Sequence, residues 1–143
     1  MVQIQKAVYD EICATLGTRK PECGGVLGAR IGEPISKFYF DHSGVSTPDA
    51  YTPDYETINE ILEEWAADGV QMVGMIHSHE NGNFPSCGDL FYSEQIMRSN
   101  LALSEFLIPI VMHHPFAIHV YRVSLEPKFS VSTDDLHIVT PSI

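Results

Sequence analysis

The run Val70-Gln71-Met72-Val73-Gly74-Met75-Ile76 is what most constrains how this chain folds. It is apolar almost throughout, and it lacks the alternation of a strand with one face in water. It therefore reads as a strand covered on both faces. Such a strand needs a layer of structure on each side, which the rest of the chain has to supply. It also delivers the chain directly into His77-Ser78-His79.

The flanking segments carry the patterns of those layers. Ile4, Val8, Ile12 and Leu16 recur every four residues and are followed by Gly17, which predicts an amphipathic helix over residues 3–16. Residues 24–30 and 34–40 are short apolar stretches separated by Ile31-Gly32-Glu33, the pattern of a hairpin. Residues 41–52, rich in Gly, Ser, Thr, Pro and Asp, read as a loop. Thr52-Pro53-Asp54 then opens a helix over 53–68, with Thr52 as cap and Ile58, Ile61, Leu62 and Trp65 as the buried stripe. A further helix is expected from Cys87 to Asn100, and strands over 106–112 and 116–123. The tail past Pro127 is polar and gives no clear pattern. Strands interleaved with about three helices around one buried strand imply an α/β or α+β layer fold, with a mixed central sheet and one domain spanning 1–143.

At 143 residues a single domain buries roughly 68–70% of the surface of its unfolded chain, so folding requires neither a disulfide nor a structural metal. The three cysteines, Cys13, Cys23 and Cys87, are odd in number and have no CxxC spacing, which argues for a reducing compartment and hence the cytoplasm. No signal-peptide pattern and no apolar run of membrane-spanning length is present. A net charge of −11 repels phosphate backbones and anionic lipid, which excludes nucleic acid and membrane surfaces as expected partners.

His77 and His79 stand two apart where the buried strand ends, so both side chains point to one face. Ten residues after His79 comes Asp89, with Ser86 three residues before it, giving H-x-H-x(6)-S-x-x-D. Two histidines and one carboxylate leave a tetrahedral position open, which is the ligand count of a catalytic rather than a structural zinc. Glu22, ahead of Gly24-Gly25, could supply the proton acceptor that a hydrolase needs. Ser86 and Asp89 also read as an ordinary helix cap and first-turn acid, and His-x-His as a hydrogen-bonded pair. The cap and ligand roles are compatible, because a helix N-terminus can both orient and supply a carboxylate.

Taken together, Glu22-Cys23-Gly24-Gly25-Val26-Leu27-Gly28, Gly74-Met75-Ile76-His77-Ser78-His79 and Pro85-Ser86-Cys87-Gly88-Asp89 resemble the JAB/MPN metalloprotease family and its JAMM motif. The resemblance runs along nearly the whole chain. It implies a JAB/MPN fold with a layer architecture similar to cytidine deaminases. It also implies zinc held by His77, His79 and Asp89, with Glu22 as general acid/base and Ser86 as a stabiliser of the oxyanion. The implied activity is a metallopeptidase or isopeptidase acting at the C-terminal tail of a ubiquitin-like or sulfur-carrier protein, with an E1-like activating enzyme as a possible partner. The chain lacks the long insertions of eukaryotic members, so it resembles the small prokaryotic type.

The chain departs from the family pattern at two points. Glu80 stands where the family has proline, and six residues rather than seven separate His79 from Ser86. Glu80 is accordingly a candidate extra ligand or competing base, and Cys87 is either a soft ligand or a small buried residue of the first helical turn. His113, His114 and His119 are assigned to structure or to a substrate groove. His79-Glu80 does not open an HExxH, since position 83 is Asn83, and the chain has no deaminase signature, phosphate loop or Gly-x-Ser-x-Gly elbow. A ligand-free scaffold of the same fold, or a member of the DNA-repair-associated branch, are the competing readings. The net charge argues against the second.

Overall fold

The computed structural model describes residues 1–48, 50–100 and 103–140. The chain is mixed α+β: in order, strands β1 (Val2–Gln5), β2 (Gly24–Ala29), β3 (Lys37–Phe40), β4 (Val45–Ser46), β5 (Tyr51–Thr52), β6 (Gln71–Ser78), β7 (Glu105–His113), β8 (Phe116–Ser124), β9 (Ser130–Asp134) and β10 (Leu136–Val139). Three helices interrupt them, α1 (Lys6–Thr15), α2 (Tyr55–Ala67) and α3 (Cys87–Ser99). A six-stranded sheet has the order β3-β2-β6-β7-β8-β9, in which β6 and β7 run parallel and every other pair antiparallel.

The strand expected to be covered on both faces is β6, and it lies between β2 and β7. On one side of the sheet α1 packs with β1 and β10 over Leu27, Ile76, Leu107 and Val111. On the other, α2 covers Val26 and Val70 through Ile58 and Trp65, and α3 covers Phe106, Ile108 and Ile110 through Met97. Alternation along β7 sorts these side chains, with Phe106, Ile108 and Ile110 facing one helical layer and Leu107 and Val111 the other. Pro109, which has no N–H to donate, sits in the middle of β7. The β6–β7 pairing runs through Gly74–Leu107 on one side of it and His77–Ile110 on the other.

Several local expectations are corrected. The helix expected over 3–16 begins at Lys6, because Val2 and Ile4 are taken up by β1, which pairs in parallel with β10. The tail that gave no pattern forms β9 and β10, whose partners are distant in sequence. The loop over 41–52 contains the β4–β5 hairpin, and Asp49 within it lies outside the described residues, as do residues 141–143 of the tail. Asp54, not Thr52, caps α2, accepting from the Thr57 backbone N–H at 3.3 Å. A carboxylate at this position satisfies one orphan N–H and complements the helix dipole. Among the described residues no helix is long and apolar enough to cross a membrane.

Close backbone approach between β6 and β7 requires Gly74. A Cβ there would lie 2.5 Å from the Leu107 carbonyl oxygen and 2.9 Å from the Leu107 Cβ. Gly74→Ala is expected to destabilise the protein by about 1–3 kcal/mol through overpacking, read as a lowered urea midpoint with an unchanged m-value.

Candidate metal centre

β6 ends at the face of the sheet covered by α2 and α3, and there its last residues turn polar. His77 and His79 are both buried, at 6% and 7% exposure, so neither is a surface histidine. Their Nε2 atoms lie 2.9 Å apart. Asp89 comes from the first turn of α3, with its Oδ2 at 3.1 Å from His77 Nε2 and 3.7 Å from His79 Nε2. Three ligand atoms held at zinc-ligand distances of about 2.0–2.1 Å with tetrahedral angles would be about 3.3–3.4 Å apart, a value that these three separations bracket. Among the described residues, this is the group of three or more His, Cys, Asp or Glu side chains whose ligand atoms converge, all lying within 4.8 Å of one another.

The chemistry of the donor set fits a metal as well as its spacing does. When both rings carry their proton on Nδ1, the two Nε2 atoms and the carboxylate oxygen turn three lone pairs toward one another. Such an arrangement is stable only with protons or a cation among them. Imidazole nitrogen with carboxylate oxygen suits zinc and other first-row divalent ions. Protons do part of this work in the metal-free chain. Burial opposes ionisation of Asp89, but hydrogen bonds from His77 and His79, with the charge of His77, outweigh it and hold the carboxyl well below the usual range. Burial likewise pushes His79 down, while Asp89 and the charge of Glu22 reverse this and leave it raised.

The sequence-predicted residues come together in one cavity of about 370 Å³, lined by Glu22, His77, His79, Ser86 and Asp89. Ser86 and Asp89 form a reciprocal capping box. Ser86 Oγ accepts from the Asp89 N–H at 3.1 Å, and the Ser86 N–H donates to Asp89 Oδ2 at 2.7 Å. Oδ2 is the same atom that faces the histidines, so the cap aims the carboxylate, and it leaves the Ser86 O–H hydrogen for another acceptor. The six-residue connection after His79 thus still brings Asp89 to the histidines.

Glu22 stands half-buried just before β2. Burial raises its carboxyl above the ordinary range, more than the neighbouring His79 and His77 lower it. The Glu80 backbone amide also faces it and favours its charged form, a contact that a proline there would not make. The Glu80 side chain itself is exposed and outside the converging ligands, as is Cys87, which is corrected from a buried to an exposed first-turn residue. His113 bonds the Leu16 carbonyl at the end of α1, at 2.6 Å, in keeping with a structural role.

Sequence reading missed two groups that align the cavity. Ser78, fully buried between the two histidines, accepts from the Cys23 N–H at 3.2 Å, while its own N–H donates to the Cys23 carbonyl at 2.9 Å. This fastens the end of β6 to the residue beside Glu22. The second is a rim of exposed aromatic side chains, Tyr55, Phe84 and Tyr92, that also line the cavity, with the Tyr55 and Tyr92 rings 6.1 Å apart. Tyr55 continues the stripe of Ile58 and Leu62 one turn earlier, and Tyr92 stands four residues before Ile96, so the helical period carried a signal for both.

Ser78→Ala is expected to cost about 1–3 kcal/mol in urea unfolding, since it strands the buried Cys23 N–H. A carboxylate held below its unfolded pKa contributes stability above that value and loses the contribution as pH falls. In metal-free protein the stability difference between wild type and Asp89→Asn should therefore shrink as pH drops below about 4, measured by urea unfolding across a pH series.

No protein-family model matches the chain, and no curated protein matches it. Its fold is similar to that in the solution structure of protein DSY2949 from Desulfitobacterium hafniense, with a TM-score of 0.71, 17% sequence identity, and coverage of 99% of this chain and 94% of that one.

Proposed function

We propose that the chain is a zinc-dependent peptidase or isopeptidase of the JAB/MPN type, with His77, His79 and Asp89 as zinc ligands and Glu22 as general base. The observation that carries this reading is the convergence of two buried imidazole nitrogens and a capped carboxylate in a cavity that also holds a second, half-buried carboxyl of raised pKa. Bound there, zinc would acidify a water molecule and polarise a carbonyl.

The protein side chains divide the remaining work. Glu22 accepts the proton of the attacking water and returns it to the departing amine, and burial, by raising its carboxyl above the ordinary range, makes it a stronger base for this step. Ser86 donates its hydroxyl hydrogen to the developing oxyanion, its lone pair being engaged by the Asp89 N–H. Burial of His77 and His79 limits competing water and strengthens each electrostatic contact in the cavity.

The substrate in this reading is the extended C-terminal tail of a ubiquitin-like or sulfur-carrier protein, processed beside an E1-like activating enzyme in the cytoplasm. Ala50, Tyr51 and Pro53, at and around β5, line one wall of the cavity, and an extended backbone can pair with such a short strand. The aromatic rim offers apolar contact to the tail's side chains.

The reading predicts about one zinc per chain by elemental analysis. Glu22→Gln should retain that zinc while slowing cleavage of diglycine-tailed ubiquitin-like fusions by about 10²–10⁴-fold. A wild-type protein that binds no zinc at His77 and His79 refutes the enzyme and leaves the scaffold reading.

A further inference from the structure

The Glu22 side chain is the group that the proposed reaction most needs to hold still, yet Glu22 belongs to no strand or helix. Its main chain is held from outside on both sides. The Glu22 N–H donates to the Thr47 carbonyl at 3.0 Å, and its own carbonyl accepts from Ser46 Oγ. Both partners belong to or border the β4–β5 hairpin, which has two residues in each strand and is too small to be stable alone. Whatever fixes the hairpin therefore fixes Glu22.

What fixes it is a buried carboxylate at the end of β3. Asp41 is 3% exposed, and its Oδ2 accepts from the Tyr51 hydroxyl at 2.7 Å and from the Asp54 N–H at 2.9 Å. One oxygen atom thus joins β3, the second strand of the hairpin and the start of α2. The surrounding sequence makes room for this junction. A Cβ on Gly44 would lie 2.5 Å from Asp41 Oδ2, and one on Gly24 would lie 2.5 Å from the Tyr51 ring. Burial and the Asp41 acceptor both push the Tyr51 phenol up, so it remains a donor across the neutral range. The other carboxylate oxygen, Asp41 Oδ1, is buried and has no hydrogen-bond partner among the described residues.

We propose that Asp41, together with the Tyr51 hydroxyl that it accepts from, positions Glu22 through the β4–β5 hairpin, Asp41 itself lying outside the cavity lining. The geometric part of this stands on its own, while its catalytic consequence rests on Glu22 being the general base. The test is backbone amide exchange by NMR on the full chain, comparing wild type with Asp41→Asn, Tyr51→Phe and Ser46→Ala. Tyr51→Phe removes one hydroxyl and decides the question if Asp41→Asn does not fold.

The expected result is faster exchange at the Glu22 amide by about tenfold or more, with the Ser78 and His79 amides, bonded to Cys23 and Val111, unchanged. Given peptidase activity in the wild type, kcat should fall by about 10–100-fold in the same variants with zinc content unchanged. Unchanged exchange at Glu22, or equal acceleration at Ser78 and His79, overturns the proposal. If the wild type cleaves nothing, the reading of the site as an enzyme fails, and the exchange data alone decide the role of Asp41 and Tyr51.

Discussion

The pairing of β2 with β6 is the constraint on which the rest of the molecule depends. Gly24 stands opposite His77 and Gly25 opposite Ile76, so this register places the residue before β2 beside the polar end of β6. Pairing this tight needs strands without bulk at the crowded points. A Cβ at Gly24 would lie 2.7 Å from the Ile76 carbonyl oxygen of β6, closer than real side chains approach. Because side chains alternate along a strand, a slip of one residue would send His77 and His79 to the face packed by α1 and strand them among aliphatic groups. The Ser78–Cys23 hydrogen bonds oppose such a slip at the point where the ladder ends.

Burying the polar end of a central strand is unfavourable unless each group finds a partner. The chain meets this condition by importing one carboxylate from α3. Asp89 faces both histidines, and its own position is secured by the cap on the same helix. The fold has apolar cores on both faces of the sheet independent of this cluster, which agrees with a chain whose folding needs no metal. The polar cluster is thus an addition at the end of β6 to a fold whose apolar cores lie apart from it.

How much of this was legible follows from the range of each interaction. The apolar run at 70–76, the helices at 55–67 and 87–99 and the strands at 105–113 and 116–124 announce themselves through local periodicity, and the structure has them within a few residues. His77, His79, Ser86 and Asp89 were legible because a period-2 spacing and a capping box are also local patterns. β1 and β10 were not, since each is a strand only by virtue of the other, more than a hundred residues away, and Val2 and Ile4 fit a helical stripe equally well. The hairpin at 45–52 was hidden for a similar reason. Its composition is that of a loop, and its order comes from Asp41, Glu22 and Tyr51, which only the fold assembles.

The double use of one atom at each junction explains why so small a chain can hold a site this well defined. Asp89 Oδ2 accepts from the Ser86 backbone and faces two imidazoles, and Asp41 Oδ2 accepts from a phenol and a helix N-terminus. In each case a helix start is tied to the end of a strand through a carboxylate, where the helix dipole favours negative charge. The two junctions flank the cavity from α3 and α2, so the elements that close it are each anchored at the end nearest the proposed chemistry. Their far ends have no such tie to the site, and relaxation there would leave the relation between Glu22, the histidines and Asp89 intact. That arrangement puts rigidity where the proposed reaction passes a proton and leaves the remainder of α2 and α3 free to adapt to whatever lies between them.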